Sequence, residues 1–548
     1  MVAGMPKPAF DASGAARRWA DRLERRPGTP LLVSCLLLAA LAWRNRFIQD
    51  DAFISFNYAA HLVSGAGLTW LPGERVEGYT NFLWTIIMSV PIALGIDPVR
   101  FSQVLGIGLF VGTLLMTGRL AATLLGSRPL ALLTVWLVGT NYTFSAYATG
   151  GLETQLQTFL VVTALAVAYR MPAVDDRHTL RLLGLSLLCA AALLTRLDSA
   201  IPVAVLGVVL LLRLIRETRG PRVAAALALV LPALIIVAIW FAWRLSYYGD
   251  LLPNTFHAKT GTVASARQGI KYLLAFVESY WLQPFVVGLV LSAGAMARRA
   301  PRIEGLLAIV VLWCAYVMKI GGDFMEFRLL VPILPLLMIL AVWMIHQVRP
   351  AAARVALVLL IVAGSASHAV RFISSPAIDS VSELARYVEE PATGWITAGR
   401  VLGEVFGRTD PPVVLATTAA GAIPFYSGLP TLDMHGLTDR RIARYGRLRP
   451  TTRPGHQRTA TLRDLMEHRV NLVIGHPAIQ RREAGARRFR FDEFVVVDQP
   501  SDPVPAGARF VIVPISESHD LTMLALIPHA AVDQVIQERG FETYPVER

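Results

Sequence analysis

Charge is scarce in this sequence. Only 17% of its 548 residues are Asp, Glu, Lys or Arg, against 54% hydrophobic residues, which excludes an ordinary soluble globular chain and points to a polytopic membrane protein. Cysteine is nearly absent. Cys35, Cys189 and Cys314 all fall within apolar stretches, which excludes a disulfide framework and a cysteine-based zinc site. The net charge of +13 forms no stripe of Lys and Arg with interleaved aromatics. The basic residues sit in short loops, the pattern of topology determinants rather than of a nucleic-acid footprint. No nucleic-acid partner is therefore expected. Internal repeats are missing too, as is low-complexity sequence beyond the Ala/Arg-rich start.

What is present is a series of apolar windows close to the length of about 20 residues needed to cross a bilayer. Eleven stand out, near 30–48, 101–123, 130–148, 154–170, 180–196, 199–215, 223–245, 281–297, 303–319, 329–347 and 354–372. A shorter piece, 82–96, contains Pro91 and reads as a juxtamembrane helix within a first outer loop, 49–100. With that choice one side of the membrane collects Lys7, Arg17, Arg18, Arg22, Arg25 and Arg26. Arg119, Arg128, Arg170, Arg177, Arg181, Arg213, Arg216, Arg219 and Arg222 fall on the same side, as do Arg298, Arg299, Arg302, Arg349 and Arg354. The positive-inside rule makes that side the cytoplasm. Residues 1–29 are polar and basic, and the following apolar run has no small-residue cleavage site, so a retained first helix is expected after a cytoplasmic N-terminus.

The tail, 376–548, lacks any membrane-length run and reads as an α/β domain outside the cytoplasm. "VVLATT", "NLVIG", "FRFDEFVVVD" and "RFVIVPI" look like strands, and "ATLRDLMEHR" like a helix between them. The expected architecture is thus about 11 transmembrane helices, residues 30–375, followed by this domain.

On that topology the unusual polar clusters share the outer face: "DDAF" (50–53), "GERVEGYTN" (73–81), "GGLET" (150–154), "TRLDS" (195–199), "LLPNTFHAK" (251–259) and "GGDFMEFR" (321–328). Polar groups converging on one mouth of a helix bundle signal a functional site, because each is costly at a membrane boundary. Bland roles compete. Asp51 fits as the cap of a helix "AFISFNYAAHLVS", whose Phe53, Phe56, Ala60 and Val63 form an apolar face ending at Gly65. Capping needs only one of the two aspartates. Glu153 suits a first-turn dipole position, Asp198 a cap, Arg196 a snorkelling helix end, and Asn254 a turn after Pro253. Asp323 and Arg328 fit a surface pair, whereas Lys259 has no evident structural reason. His435 and His456 read as structural histidines.

One chemistry unites the clusters: sugar transfer from a polyprenyl phosphate, whose charged group lies at headgroup level. It needs a carboxylate to take the acceptor's proton and cations to hold the departing phosphate. Asp50 and Asp51 are the candidate catalytic carboxylates. Arg75, Lys259 and Arg328 are candidates for the donor phosphate, and Glu77, Glu153, Arg196, Asp198, Asn254 and Asp323 for sugar or acceptor hydroxyls. A divalent cation is compatible with carboxylates beside phosphate, but no ligand spacing calls for one, and no metal ligand is assigned.

"DDAFISFNYAAHLVSGAGLTWLPGERVEGYTNFLWT" (50–85) resembles the first outer loop of the mycobacterial terminal β-(1→2)-arabinofuranosyltransferases, members of the C-type glycosyltransferase (GT-C) fold. The likeness lies in the double aspartate, the glycine-containing helix end, "GERVE" and the aromatic "WT". "AGAIPFYSGLPTLDMHGLTDRRIA" (420–443) with "PGH" (454–456) looks like part of that family's tail. The resemblance implies transfer of D-arabinofuranose from decaprenyl-phosphoryl-arabinose to a cell-envelope glycan or surface-protein acceptor, outside the bacterial cytoplasmic membrane. It also implies that the catalytic carboxylate is the first-loop aspartate, Asp50 or Asp51. A transporter or flippase of lipid-linked sugars is the alternative. Such a protein places polar groups mid-bilayer and often shows inverted repeats, whereas here the ionisable residues gather at helix ends.

Overall fold

The computed structural model describes residues 28–71, 73–171, 178–217, 222–259, 266–299, 303–449, 451, 453–482, 489–497, 499 and 502–546. Much of the basic pattern used for orientation lies outside them, namely residues 1–27 with Arg177, Arg219 and Arg302; for Arg216, Arg222, Arg298 and Arg299 only the backbone is described.

Each of the eleven apolar windows is helical. Among the described residues five helices are long and apolar enough to cross a membrane: Pro98–Leu125, Leu197–Ile215, Val223–Tyr248, Arg328–Gln347 and Ala351–Arg371. A sixth span is possible if Ala266–Ser279 and Gln283–Leu291, bent by 110°, act together. The chain is a multi-pass membrane protein. Window 130–148 is broken, with Arg128–Gly139 and Tyr142–Ala146 separated at Thr140 and Asn141, where the Asn141 side chain caps the second piece by accepting from Phe144 N at 3.0 Å. The piece with Pro91 is the helix Phe82–Ala93, whose 12 residues span about 18 Å, short of a bilayer core.

Burial separates central from peripheral helices. The apolar window of Arg328–Gln347 is 78% buried, whereas those of Val223–Tyr248 and Ala351–Arg371 are 22% buried. The first is apolar on all sides because helices surround it. The others turn Leu234, Ile239, Leu359 and Val370 outward, as a lipid-facing band does.

The tail is a six-stranded sheet with helices on both faces. Strands β1 (Leu415–Thr417), β2 (Thr431–Asp433), β5 (Leu472–Arg481), β6 (Arg509–Pro514), β7 (His519–Ala525) and β8 (Thr543–Pro545) run in the order β2-β1-β5-β7-β6-β8. β3 (Arg447–Leu448) and β4 (Arg458–Thr459) form a separate pair. β2, β1 and β5 are parallel, and the remaining pairings are antiparallel. Alternation along β6 divides the core: Val511 and Val513 pack with Leu402 and Phe406 of helix Trp395–Phe406, while Phe510 and Ile512 face Leu465 and Phe494 on the other side. "FRFDEFVVVD" is not a strand. It holds the short helix Phe491–Phe494, with isolated bridges at Arg490 and at Val496, the latter to Thr461.

The first outer loop and the tail are packed as one body. Helix Asp50–Val63 is capped by Gln49, not by Asp51. Its Phe53 and Phe56 lie against Phe425 and Tyr426, with ring centroids 5.5 to 6.1 Å apart. Val63, expected on the same apolar face, is exposed. Trp70 Nε1 donates to Thr431 O at 2.7 Å.

Candidate active site

The two aspartates diverge. Successive helical residues are rotated by about 100°, so neighbours on the Asp50–Val63 helix face different surroundings. Asp50 is buried against the tail. Its Oδ1 accepts from Ala422 N at 2.7 Å and its Oδ2 from Gly421 N at 3.1 Å. Burial pushes its carboxyl up to about 7; the two N–H groups oppose that shift, and the neighbouring charge of Asp51 adds to it. Position 421 admits only glycine, because a Cβ there would stand 2.0 Å from the Asp50 carbonyl oxygen. Asp50 is thus a structural latch between loop and tail.

Asp51 is half-buried, and among the described residues no hydrogen bond reaches its carboxylate. Burial raises its pKa; Arg328 and Lys259 pull it back, while Asp323 and Glu153 push it up. Sequence segments far apart therefore meet around this one carboxylate.

Most charges in the cluster are already satisfied. Arg196 donates from Nη1 to Glu153 Oε1 at 2.7 Å, and from Nη2 to Asp198 Oδ2 at 2.7 Å. Asn81 Nδ2 holds Glu153 Oε2 at 2.7 Å, and Gln157 Nε2 holds Asp198 Oδ1 at 2.6 Å. Arg328 is paired with Asp323 through Nε at 2.8 Å and Nη2 at 2.7 Å. Lys259 differs. It is exposed, and among the described residues its ammonium has no hydrogen bond or ion pair. Burial of the surrounding recess lowers its pKa, with Asp323 and Asp51 acting in the other direction. Asp51 and Lys259 are thus a carboxylate and an ammonium without a hydrogen bond or ion pair among the described residues.

Three of the residues singled out in the sequence lie elsewhere. Glu77 is buried in an ion pair with Arg244, Nε to Oε2 at 2.5 Å, and burial pushes its carboxyl up to about 7. Losing one partner of such a pair costs about 3–5 kcal/mol, which is a structural reason for it. Arg75 lies over the Tyr247 ring at 4.6 Å. Asn254 Nδ2 reaches the carbonyls of Gly436, Leu437 and Asp439 at 2.8 to 3.1 Å, clamping the loop onto the tail. Polar loop composition gives no sign of these partners, which are tail backbone, an aromatic ring and an arginine at the end of the Val223–Tyr248 span, none adjacent in sequence.

Other groups lie beside the cluster. A cavity of about 510 Å³ opens at Asp323, lined also by Arg267, Lys271, Tyr272 and Pro454. Arg267 and Lys271 sit on the amphipathic helix Ala266–Ser279. From the tail, the "PGH" turn reaches in, with a Cβ at Gly455 falling 3.3 Å from Lys259 Cε. The His456 ring packs against Phe324 and against His435, each at 4.8 Å. Among the described residues no group of three or more His, Cys, Asp or Glu is placed to hold a metal ion.

The arrangement of these helices and the tail is similar to that of known proteins. In a crystal structure of ArnT from Cupriavidus metallidurans in the apo state, 94% of this chain and 100% of that one superpose with a TM-score of 0.54 at 15% identity. ArnT bound to undecaprenyl phosphate gives 0.51 at 14% identity, over 74% and 85%. The chain has the C-type glycosyltransferase fold. In sequence it is similar to the terminal β-(1→2)-arabinofuranosyltransferase of Corynebacterium glutamicum, 27% identical over 383 residues, 60% of this chain and 53% of that protein. The Mycobacterium tuberculosis protein of the same name is 28% identical over 337 residues, 55% and 52%. The chain spans about half the length of these curated relatives. Residues 385–516 match a domain of unknown function, DUF8728.

Proposed function

We propose that the protein is a polyprenyl-phosphate-dependent membrane glycosyltransferase that moves D-arabinofuranose to a cell-envelope glycan or glycoprotein. The observation that carries the reading is Asp51, a half-buried carboxylate without a hydrogen bond, among Lys259, Arg328 and Glu153. Similarity to the two arabinofuranosyltransferases supports the sugar, and the ArnT-like fold supports a lipid-linked donor.

In this reading Asp51 takes the proton of the acceptor hydroxyl as its oxygen attacks the anomeric carbon. The bond from that carbon to the phosphate oxygen breaks, and the electron pair leaves with the polyprenyl phosphate. Lys259 and Arg328 stabilise the departing charge in a site that excludes much of the water. The raised pKa of Asp51 suits a base working near neutral pH. Arg196, held by Glu153 and Asp198, and Asp323, held by Arg328, fix the surrounding polar surface for sugar hydroxyls.

Residues 30–375 form the catalytic membrane unit and 376–548 the accessory unit, both mouths facing away from the cytoplasm of a bacterial inner membrane. The short basic loops favour that orientation. Incubation of the purified protein with a panel of radiolabelled polyprenyl-phosphate sugars tests the reading. Label should leave the arabinose lipid; retention of label on every lipid would overturn it.

A further inference from the structure

Beyond the reacting groups, the tail carries an aromatic assembly, packed on the edge of the core, that the transfer chemistry does not use. Tyr387 and Trp395 stack with ring centroids 5.4 Å apart and planes within 6°. His476 stands edge-on to both, at 6.0 and 5.8 Å. Tyr387 and Trp395 are only half-buried, and His476 is exposed.

The placement of His476 is built. Strand β5 loses its regular pairing between Val473 and Ala478, and Gly475 adopts φ +63°. The Gly475 carbonyl accepts from Thr418 N at 2.9 Å, Thr417 Oγ1 at 3.0 Å and Thr418 Oγ1 at 3.2 Å. A bulge pinned at three points re-aims the following side chain off the sheet. Burial together with Arg453 holds the His476 imidazole below its usual value.

A run of neighbouring side chains connects His476 with the reacting groups. Arg453 lies over the Phe324 ring at 5.1 Å, next to Asp323. His456 packs on Phe324 and His435, and its loop touches Lys259. His435 Nδ1 faces Arg458 O and His456 Nδ1 faces Pro454 O, each at 3.0 Å. A carbonyl only accepts, so both Nδ1 atoms carry the proton. Burial keeps both rings below the ordinary histidine range, His435 at about 4. Each therefore turns a neutral Nε2 lone pair away from its own backbone, an acceptor suited to a hydroxyl. A sugar offers that combination: a face of C–H groups for an aromatic ring and a rim of hydroxyls for imidazoles.

We propose that this run of side chains is an acceptor-glycan subsite. One sugar ring of the acceptor stacks on Tyr387–Trp395 beside His476, and hydroxyls nearer the reactive end meet His435 and His456 on the way to Asp51. The proposal rests on the glycosyltransferase reading above.

The test uses the full-length protein in detergent, with an arabinofuranosyl hexasaccharide as acceptor and probe. In Trp395→Ala and His476→Ala, the acceptor KM is expected to rise about tenfold with kcat changed less than threefold, and Trp395→Phe to recover most of the loss. An unchanged KM in His476→Ala, whose exposed side chain is not needed for folding, overturns the subsite. So does an equal fall in kcat and kcat/KM. A binding arm, hexasaccharide affinity by thermophoresis, separates this from the reaction itself. If the wild-type protein releases no sugar from any donor, the transfer reading fails. A tenfold weaker hexasaccharide affinity in His476→Ala still supports the subsite, and equal affinity overturns it.

Discussion

Alanine at position 421 should unlatch the tail. The added Cβ would lie 2.0 Å from the Asp50 carbonyl oxygen and 2.6 Å from its carboxyl carbon, so the two backbones must separate by more than an ångström. Separation breaks the bonds from Ala422 N and Gly421 N to the Asp50 carboxylate. Hydrogen bonds to charged groups contribute about 1.5–3 kcal/mol each, or about 3–6 kcal/mol for the pair. A carboxyl whose pKa is pushed up to about 7 is roughly half ionised at neutral pH, which places the expected loss near the lower end, about 3 kcal/mol. Hydrogen exchange of residues 420–428, with limited proteolysis of the tail, reads that loss directly. Exchange there should accelerate by about 100-fold, since each 1.4 kcal/mol is a factor of ten, while the Arg328–Gln347 core helix stays protected. Wild-type exchange and proteolysis in Gly421→Ala would refute the latch and leave Asp50 free for another role.

Lys259→Ala should weaken donor-lipid binding by about 10–100-fold, the worth of one charge-assisted contact to phosphate, measured by equilibrium binding of the radiolabelled arabinose lipid; unchanged affinity would remove Lys259 from the phosphate. The pH profile of kcat/KM should be narrower than free side chains would give. A base must be ionised, so activity rises through the Asp51 pKa, which burial lifts above the ordinary carboxylate value; the phosphate-holding ammonium must be charged, so activity falls through a Lys259 pKa below the ordinary lysine value. An acidic limb at the ordinary carboxylate value would contradict the placement of Asp51. Asn254→Ala should cost about 1–3 kcal/mol through unmet buried carbonyls at 436, 437 and 439, seen as faster exchange there without loss of the Asp51 cluster. A reporter fused after residue 372 should read as extracytoplasmic, and a cytoplasmic signal would invert the proposed topology.

The membrane helices were legible because a bilayer demands long apolar runs, and these survive any tertiary rearrangement. The short strands β2 and β8, and the helix Phe491–Phe494 within "FRFDEFVVVD", were not, because in 3- to 4-residue elements tertiary contacts outweigh intrinsic preference. The site was half legible. "DDAF", "GGLET", "TRLDS" and "GGDF" do meet, since polar residues at helix ends on one face have little else to approach. Adjacency in sequence hid the division between Asp50 and Asp51; only the position of Gly421 in the tail separates them. Arg75, Glu77 and Asn254 have the same composition as true neighbours of Asp51, yet their partners are Tyr247, Arg244 and tail carbonyls. The pairing of His435 with His456 was not legible either. Each looked isolated, and the fold sets them side by side at the edge of the cluster.

The most direct measurement is single-turnover release of sugar from the radiolabelled arabinose lipid by Asp51→Asn and Asp50→Asn, with protein folding checked in parallel. Loss of a positioned general base should slow the Asp51→Asn reaction by roughly 10²- to 10⁴-fold, while Asp50→Asn disturbs tail seating and retains the chemical step. Wild-type release by Asp51→Asn, with the chemistry lost in Asp50→Asn instead, would contradict the account.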